Sequence, residues 1–531
     1  MKNVKHTSTQ NTEKSDGVIS GALSLTLSAL IVKILGLVYK LPLSNMLGDV
    51  GMGYFNTAYT VYAFFYLLCT AGVPKAIMIL ISKSKATGNK SMENRILTVS
   101  MKLFGLIGIS IMLVYIILAT PMSRFIGNSK AVYSMIAIAP CIFLASVSGV
   151  IRGSLNANML LSDIAFSQVI EGLGKLVFGI VFAMIGNRLN LPLHIVSSLA
   201  ILGVTLGGAF GFVYLLVCQK NKIPRENIGQ SGKNEFKAIT KQLFSISVPI
   251  TVSAAVLSLT SMIDLGLITR NLAKLGYSES QAAALYGNYT TLAVPMFNLA
   301  LAILSPISVA FLPSLTEGRA KSNGSLAEKN ERDALELTCM VSAPITLGLA
   351  MFSEEILSTI FKNSNIEIGS KLLVLLTPAI LFSSLLMMIN TILEGFGYVK
   401  APMISMTIGA ISKLIISSLL IKNPTFGISG APIGTAISYF VALVVSLIIY
   451  MKKTSKIPKI ITIIISTYLP SAVAIILAKC IFIRMCIHFG NLISLILSIT
   501  LAGAFYGIYL LFTGKILKYL PSKLAKYTNF S

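Results

Sequence analysis

Long apolar segments alternate with short polar connections along almost the whole chain. A helix needs roughly 20 consecutive, mostly apolar residues to cross a bilayer, and fourteen segments between Val18 and Thr513 meet this requirement. The predicted spans are 18–41, 54–81, 96–120, 131–151, 160–186, 193–218, 242–269, 281–312, 335–360, 372–396, 402–421, 430–451, 460–483 and 489–513. The pattern therefore predicts an all-α integral membrane protein with 14 transmembrane helices.

Composition and charge support this class. Of the 531 residues, 55% are hydrophobic and only 12% are charged, which leaves too few polar side chains to cover a soluble core. The net charge of +24 raises the question of a nucleic acid partner. However, Lys and Arg concentrate in alternate connections rather than in one patch, which argues against nucleic acid and predicts contact with anionic membrane lipids. The same bias predicts that both termini are cytoplasmic.

The chain contains an internal repeat. The segment beginning YFNTAYTV at Tyr54 aligns with the segment beginning YGNYTTLAV at Tyr286, and a second alignment over other helices has a nearly equal offset. The matched pairs are Tyr54 with Tyr286, Asn56 with Asn288, Pro74 with Pro306, Pro140 with Pro378 and Lys175 with Lys413. Helices 1 to 6 therefore match helices 7 to 12.

The repeat predicts the domain organisation. Because each half has an even number of spans, both halves enter the membrane in the same sense, and a pseudo-twofold axis runs along the membrane normal. The predicted parts are a disordered cytoplasmic tail (1–17), an N-lobe (18–218), a cytoplasmic linker (219–241), a C-lobe (242–451), the extra C-terminal helices 13 and 14 (460–513) and a basic cytoplasmic tail (514–531). The cavity between the lobes is the natural substrate site.

Charged side chains inside the predicted spans are the main functional signal. An ionised Lys near the bilayer centre costs roughly 2.5–3.5 kcal/mol, so a retained one normally faces a cavity or a partner. The six such lysines are Lys33, Lys75, Lys102, Lys175, Lys413 and Lys479. Lys33 and Lys40, seven residues apart, share one side of helix 1, which has no carboxylate between Asp16 and Asp49. Their partner must come from another helix, water or the substrate, unless Lys40 extends to the interface.

A cavity lined mainly by cations favours anions that carry a lipid tail or several phosphates. The substrate-binding candidates are Lys33, Lys40, Lys75, Arg270 and Asp264. Asp264 and Arg270 are six residues apart on helix 7, so they lie on different faces and do not pair within the helix. Glu171 and Lys175 are four residues apart on helix 5, a spacing that predicts an intramembrane ion pair.

Prolines interrupt predicted helices at matching positions of the repeat. Pro74 and Pro306 each remove a backbone donor, and paired interruptions in two halves indicate transporter hinges, here at Gly72, Pro74 and Pro306. The alternative is that these prolines only shape helix packing. No spaced carboxylate pair, Ser/His/Asp set, nucleotide loop or metal-ligand cluster stands out, so no enzyme activity, cofactor or metal is expected.

Two stretches, residues 30–77 (with VKILG around Lys33) and 261–315, resemble stage V sporulation protein B and its relatives. That family belongs to the superfamily of oligosaccharide-lipid flippases, multidrug exporters and the peptidoglycan lipid II flippase. The resemblance implies a two-lobed, alternating-access flippase in the bacterial cell membrane. Its cargo would be a polyprenyl-diphosphate-linked sugar, such as lipid II for the spore cortex, moved from the inner to the outer leaflet.

The resemblance also implies site roles. Lys33 falls where the lipid II flippase has an arginine, which implies diphosphate binding, and the last two helices would form a groove for the lipid tail. Near Tyr39 and Lys40 that flippase has an Arg-Asp pair, and near residues 66–72 it has a basic pair and a glutamate, whereas this chain reads YLLCTAG. The same ion linkage and headgroup contacts are therefore not implied.

Three other functions remain open from the sequence. A multidrug or organic-cation antiporter of the same fold would need acidic residues in its cavity. A non-transporting scaffold for cell-wall synthesis would use the inner charges to hold cell-wall synthases as partners. A membrane glycosyltransferase is the third alternative. We expect the protein to be a monomer.

Overall fold

The computed structural model describes residues 3–223, 233–320, 324–398, 400–454 and 460–515. Within these ranges, the structure does not describe the side chains of residues 3–27 or those of scattered later positions, which include Lys33. Every regular element in the described ranges is helical. Contacts divide the chain into two compact units, Met1–Thr291 and Leu292–Ser531.

The described residues of the first unit form nine α-helices. They are α1 (Asn3–Thr70), α2 (Val73–Ala86), α3 (Lys90–Ile126), α4 (Val132–Ile138), α5 (Pro140–Ala157), α6 (Leu161–Arg188), α7 (Leu193–Lys222), α8 (Lys233–Lys274) and α9 (Glu279–Asn288). A 3₁₀ turn, Ser129–Ala131, precedes α4, and a π-helical segment, Tyr289–Ala293, follows α9. Helix α1 already begins at Asn3, within the N-terminal segment whose polar composition predicts disorder.

In the second unit, the part of the chain that the structure describes forms eight α-helices and a 3₁₀ turn, Gly427–Ser429. The helices are α10 (Val294–Ala320), α11 (Gly324–Met351), α12 (Ser353–Ile360), α13 (Ile366–Leu376), α14 (Pro378–Gly395), α15 (Ala401–Lys422), α16 (Gly430–Thr454) and α17 (Ile460–Phe512). Its main apolar core is built around the buried residues Leu385, Ile389 and Ile392 of α14.

Three interruptions divide the longest helical stretches. Gly48 in α1 (φ 59°) and Gly490 in α17 (φ 73°) have left-handed backbone conformations that glycine adopts without a steric penalty. The chain is also non-helical at Ala71 and Gly72, between α1 and α2. Helix 2, predicted as one span over residues 54–81, is therefore broken inside that range.

Eleven helical segments of the described residues are long and apolar enough to cross a membrane. Two of them, Ile34–Lys85 with 52 residues and Ile460–Phe512 with 53, exceed twice the length that one crossing needs. The chain is thus an all-helical, multi-pass membrane protein over its described part. The count of fourteen spans and the arrangement of the lobes remain predictions.

Small residues allow close helix packing in the first unit. A Cβ atom added to Gly203 of α7 would lie 2.2 Å from the backbone nitrogen of Gly179 in α6. Such backbone-to-backbone contact is common between membrane helices, where glycine lets helices approach and gain van der Waals contact. The closely packed α6–α7 pair lies beside α1.

Lys479 of α17 has a structural role in the second unit. Its ammonium donates to the Met351 carbonyl oxygen at 2.9 Å, forms an ion pair with Glu355 and lies 5.0 Å from the ring centroid of Phe352. This lysine, one of the six predicted inside spans, is compensated by a carboxylate of the protein. It ties α17 to α12.

Candidate cation and aromatic site in the first unit

Five aromatic side chains form a continuous row in the first unit. Phe55, Tyr59, Tyr62 and Tyr66 follow one another at spacings of four, three and four residues, so they lie on one face of α1. Tyr39, earlier in α1, extends the row, with its ring centroid 6.0 Å from that of Phe55. The following neighbours in the row are 6.2, 5.8 and 5.5 Å apart. We call these five residues the aromatic row.

Lys175 of α6 lies on the aromatic row. Its ammonium nitrogen is 4.7 Å from the ring centroid of Tyr59 and 5.3 Å from that of Tyr39, within the range of cation–π attraction. Tyr39 is buried, and its hydroxyl donates to the Ala200 carbonyl oxygen at 3.0 Å. Tyr59 is 37% exposed, so it offers part of its surface to a ligand next to the Lys175 charge.

An ion pair lies at the Tyr66 end of the aromatic row. Arg152 of α5 donates from Nη2 to Glu171 Oε2 of α6 at 2.9 Å, and both residues interact electrostatically with the Tyr66 hydroxyl. The predicted pairing of Glu171 with Lys175 is therefore not the one made. The reason is tertiary, because α5 brings a guanidinium to Glu171 while the ring faces of Tyr39 and Tyr59 attract the Lys175 ammonium.

Lys40 is the second uncompensated cation of the site. Its Nζ donates to the Thr290 carbonyl oxygen at 3.1 Å, in the π-helical segment after α9. Lys175 acts electrostatically on Lys40, and like charges repel. Among the carboxylates that the structure describes, none lies within ion-pair distance of either ammonium. The half-buried pair of lysines is therefore suited to an anion.

Helix α1 meets α9 and the π-helical segment after it through small and polar residues next to Lys40, and we call this the α1–α9 contact. Asn56 Nδ2 donates to Thr291 Oγ1 at 2.8 Å, and the hydroxyls of Thr60 and Tyr286 are 2.9 Å apart. A Cβ atom added to Gly53 would lie 2.0 Å from the Ala283 carbonyl oxygen. The contact therefore depends on the absence of a side chain at this glycine.

The other predicted site residues have different environments. The Lys33 side chain lies outside the described residues. Lys75 is exposed near the start of α2, and Asp264 is buried in α8. The Arg270 guanidinium is exposed and lies 4.5 Å from the ring centroid of Phe125. Of the predicted residues, the described contacts thus bring Lys40, Lys175 and Glu171 together around one site.

The predicted hinge residues occupy unlike backbone positions. Gly72 precedes α2 at the break after α1, and a Cβ atom there would lie 2.1 Å from the Ser247 carbonyl oxygen of α8. Pro74 lies in the first turn of α2, where its missing N–H costs nothing. Pro306, in contrast, lies inside the continuous helix α10. Hinge motion at these residues remains a prediction.

Sequence reasoning missed Arg152 and the aromatic row. The spacing of the aromatic residues at 55, 59, 62 and 66 was a usable signal, because it defines one helix face. Arg152 lies one residue beyond the predicted end of helix 4, in a predicted connection rather than in a span. In the described part of the chain, no cluster of three or more His, Cys, Asp and Glu residues could hold a metal ion.

Comparison with known proteins agrees with this architecture. The sequence pattern of the polysaccharide biosynthesis protein family matches residues 18–318, more than half of the chain, so the chain belongs to that family. Stage V sporulation protein B of Bacillus subtilis (strain 168) is 25% identical over 420 residues, which cover 78% of this chain and 79% of that protein. The resemblance predicted from residues 30–77 and 261–315 is thereby confirmed.

Two lipid II flippases are also similar. Lipid II flippase MurJ of Bacillus subtilis (strain 168) is 23% identical over 452 residues, or 81% of each chain. A solved structure, lipid II flippase MurJ in an inward closed conformation, superposes with a TM-score of 0.70 at 15% identity. It covers 92% of this chain and 98% of that one, which shows that the fold is shared.

Proposed function

We propose that this protein is an alternating-access flippase that moves a polyprenyl-diphosphate-linked sugar from the inner to the outer leaflet. Lipid II or a related peptidoglycan precursor, for example for the spore cortex, is the cargo we favour. The observation that carries the proposal is the pair Lys40 and Lys175. Both are half-buried in membrane-spanning helices, and neither has a carboxylate partner among the described residues. Retained charges of this kind mark a substrate pathway.

The chemistry of the site fits an amphipathic anion. Two ammonium groups would attract a diphosphate as point charges, without the rigid fork of arginine. The exposed part of Tyr59 lies beside Lys175 and offers an aromatic face and a hydroxyl to the sugar that follows the diphosphate. By sequence, Lys33 lies on the same side of the helix as Lys40, and the proposal assigns it to the same diphosphate.

Transport by this mechanism requires a contact that opens. The predicted orientation places the α1–α9 contact at the outer side of the membrane, where cargo would leave. Its polar part consists of hydrogen bonds, such as Asn56 to Thr291, that water can replace at modest net cost. The break at Gly72 between α1 and α2 is the proposed hinge for this opening.

A cationic site also separates the proposal from its competitors. An antiporter for organic cations would place carboxylates against its substrate, whereas the Glu171 carboxylate is held by Arg152. A cell-wall scaffold would not need uncompensated ammonium groups inside its spans. These differences make transport of a lipid-linked anion the function that the geometry supports best.

Leaflet transfer in vesicles tests the proposal. Purified protein is reconstituted with fluorescent lipid II, and the fraction that becomes accessible to an external quencher is followed over time. We expect wild-type protein to transfer the lipid, and Lys40→Gln and Lys175→Gln each to slow transfer about tenfold or more, the size expected when a charge-assisted contact of 1.5–3 kcal/mol is lost. Lys102→Gln, at an exposed lysine of α3, is the matched control and keeps the wild-type rate.

Two results would contradict the assignment. Wild-type protein that transfers no lipid II, yet exchanges organic cations for protons in the same vesicles, would establish the antiporter instead. Equal rates of leaflet transfer for wild type, Lys40→Gln and Lys175→Gln would show that the two lysines do not bind the cargo. Co-purification with wall synthases, combined with no transfer of any tested lipid, would favour the scaffold.

A further inference from the structure

A cavity of about 430 Å³ lies in the first unit where four helix ends meet, apart from the aromatic row. It is formed by the ends of α2, α5 and α7 and the start of α3. Its charged lining residues are Lys85, Lys90, Glu93 and Lys222. We call it the helix-end cavity. None of the described residues that line it belongs to the aromatic row or to the cations beside that row.

Two of the lysines are held in place by the protein. Lys85 donates to Asn158 Oδ1 and to the Ala157 carbonyl oxygen at the end of α5. Lys222 donates to both carboxylate oxygens of Asp163, at 2.7 and 2.8 Å. A lysine ammonium has three N–H donors, so each keeps capacity for a ligand. Because both ammonium groups are already positioned, a ligand would lose little binding energy in ordering them.

The third lysine is less constrained. Lys90 is the first residue of α3 and is exposed, and no described carboxylate lies within ion-pair distance of it. The start of a long helix adds partial positive charge from its backbone N–H groups. Three cations and a helix start therefore converge on one cavity, which is a favourable setting for an anion.

The local charge balance limits which anion fits. Glu93 lines the cavity and Asp163 lies against Lys222, so among the described residues two carboxylates oppose three ammonium groups. A net charge of about +1 matches the single negative charge of a phosphodiester better than inorganic phosphate, which carries between one and two negative charges near pH 7. The apolar lining residues Ile81, Leu97 and Ile223 provide a surface for the part of a lipid next to its phosphate.

We propose that the helix-end cavity binds the phosphodiester headgroup of an anionic phospholipid. The predicted orientation places these helix ends at the cytoplasmic side, where the inner leaflet supplies such headgroups. The site is independent of the proposed flippase function, because its residues and its ligand, a monoanionic headgroup, differ from those of the diphosphate site. A bound lipid would connect the ends of α2 and α3 to those of α5 and α7.

Native mass spectrometry of the full-length protein in detergent, titrated with phosphatidylglycerol, tests this site. We expect Lys90→Gln, and the double variant Lys85→Gln/Lys90→Gln, to weaken phosphatidylglycerol binding by about threefold and tenfold, respectively, as expected for one and two lost charge contacts. Lys83→Gln is the matched control, because Lys83 is an exposed lysine of the same helix that does not line the cavity. It should bind like wild type.

A gain of affinity separates binding from misfolding. Glu93→Gln removes the carboxylate that opposes the ligand and should tighten phosphatidylglycerol binding about threefold, a result that damage to the fold cannot imitate. The proposal is overturned if Glu93→Gln does not tighten binding, or if Lys83→Gln weakens it as much as Lys90→Gln. Displacement of the lipid by millimolar inorganic phosphate would also overturn it, because the cavity would then be a site for free phosphate.

Discussion

The backbones of Gly287 in α9 and Gly53 in α1 touch at the α1–α9 contact. A Cβ atom added to Gly287 would lie 2.6 Å from the Gly53 nitrogen and 2.2 Å from the Asp49 carbonyl oxygen. Neither distance can be relieved by turning a side chain, because the opposing atoms belong to the backbone. The α1–α9 contact therefore depends on glycine at both positions. The hydrogen bonds beside it form only when the two helices approach this closely.

Gly287→Ala should destabilise the protein by about 1–3 kcal/mol, the usual cost of adding a methyl group where no space exists. Thermal unfolding in detergent measures this loss. Gly266→Ala is the control, because a Cβ atom at Gly266 of α8 meets no atom within 4 Å. That variant should equal or exceed wild-type stability, since alanine favours helix by about 1 kcal/mol over glycine. Equal stability of the two variants would contradict the packing argument.

The effects of substituting Arg152 and Glu171 on the unfolding free energy should be strongly coupled. Glu171→Gln leaves the largely buried Arg152 guanidinium without its carboxylate, so we expect a loss of about 1–3 kcal/mol. Adding Arg152→Gln should restore part of the stability, because no unpaired charge remains. A double-mutant cycle of unfolding free energies isolates the interaction. Purely additive effects would mean that the pair contributes little.

Lys479 should act on stability rather than on transport. Lys479→Met removes the partner of Glu355 and the contact with Phe352, so we expect a lower unfolding temperature and a near-normal rate of leaflet transfer per folded molecule. Arg484→Gln, at an exposed cation of the same helix α17, is the control and should leave both properties unchanged. Lys175→Gln should show the opposite pattern, with slow transfer and normal stability.

Tyr59 should contribute to leaflet transfer through its aromatic ring. Tyr59→Leu removes the aromatic face beside Lys175 and should slow leaflet transfer about two- to thirtyfold, the range expected from a cation–π contact of 0.5–2 kcal/mol. Tyr59→Phe keeps the ring and should retain most of the rate. Tyr277→Leu, at another exposed tyrosine of the first unit, controls for loss of aromatic surface in general. A slow Tyr59→Phe variant would instead assign the role to the hydroxyl.

The sequence alone determined the class of this protein. Apolar runs of membrane-spanning length allow only a structure that satisfies its backbone hydrogen bonds internally, and the absence of strand-like alternation left helices. The family was also readable, because residues 30–77 and 261–315 carry a pattern that the whole-chain comparisons confirm. Helix interiors were predicted better than helix ends, and the break inside predicted helix 2 falls at Gly72, next to Pro74, where the sequence predicts an interruption.

Only the tertiary structure decided which charged side chains meet. The four-residue spacing of Glu171 and Lys175 predicts neighbours on one helix, but α5 brings Arg152 to the carboxylate and α1 brings the aromatic row to the ammonium. Likewise, Lys40 meets Thr290, a residue 250 positions later, through the packing of α1 beside α9. Periodicity describes one helix at a time, whereas partners across helices depend on crossing geometry and backbone approach, which no local pattern encodes.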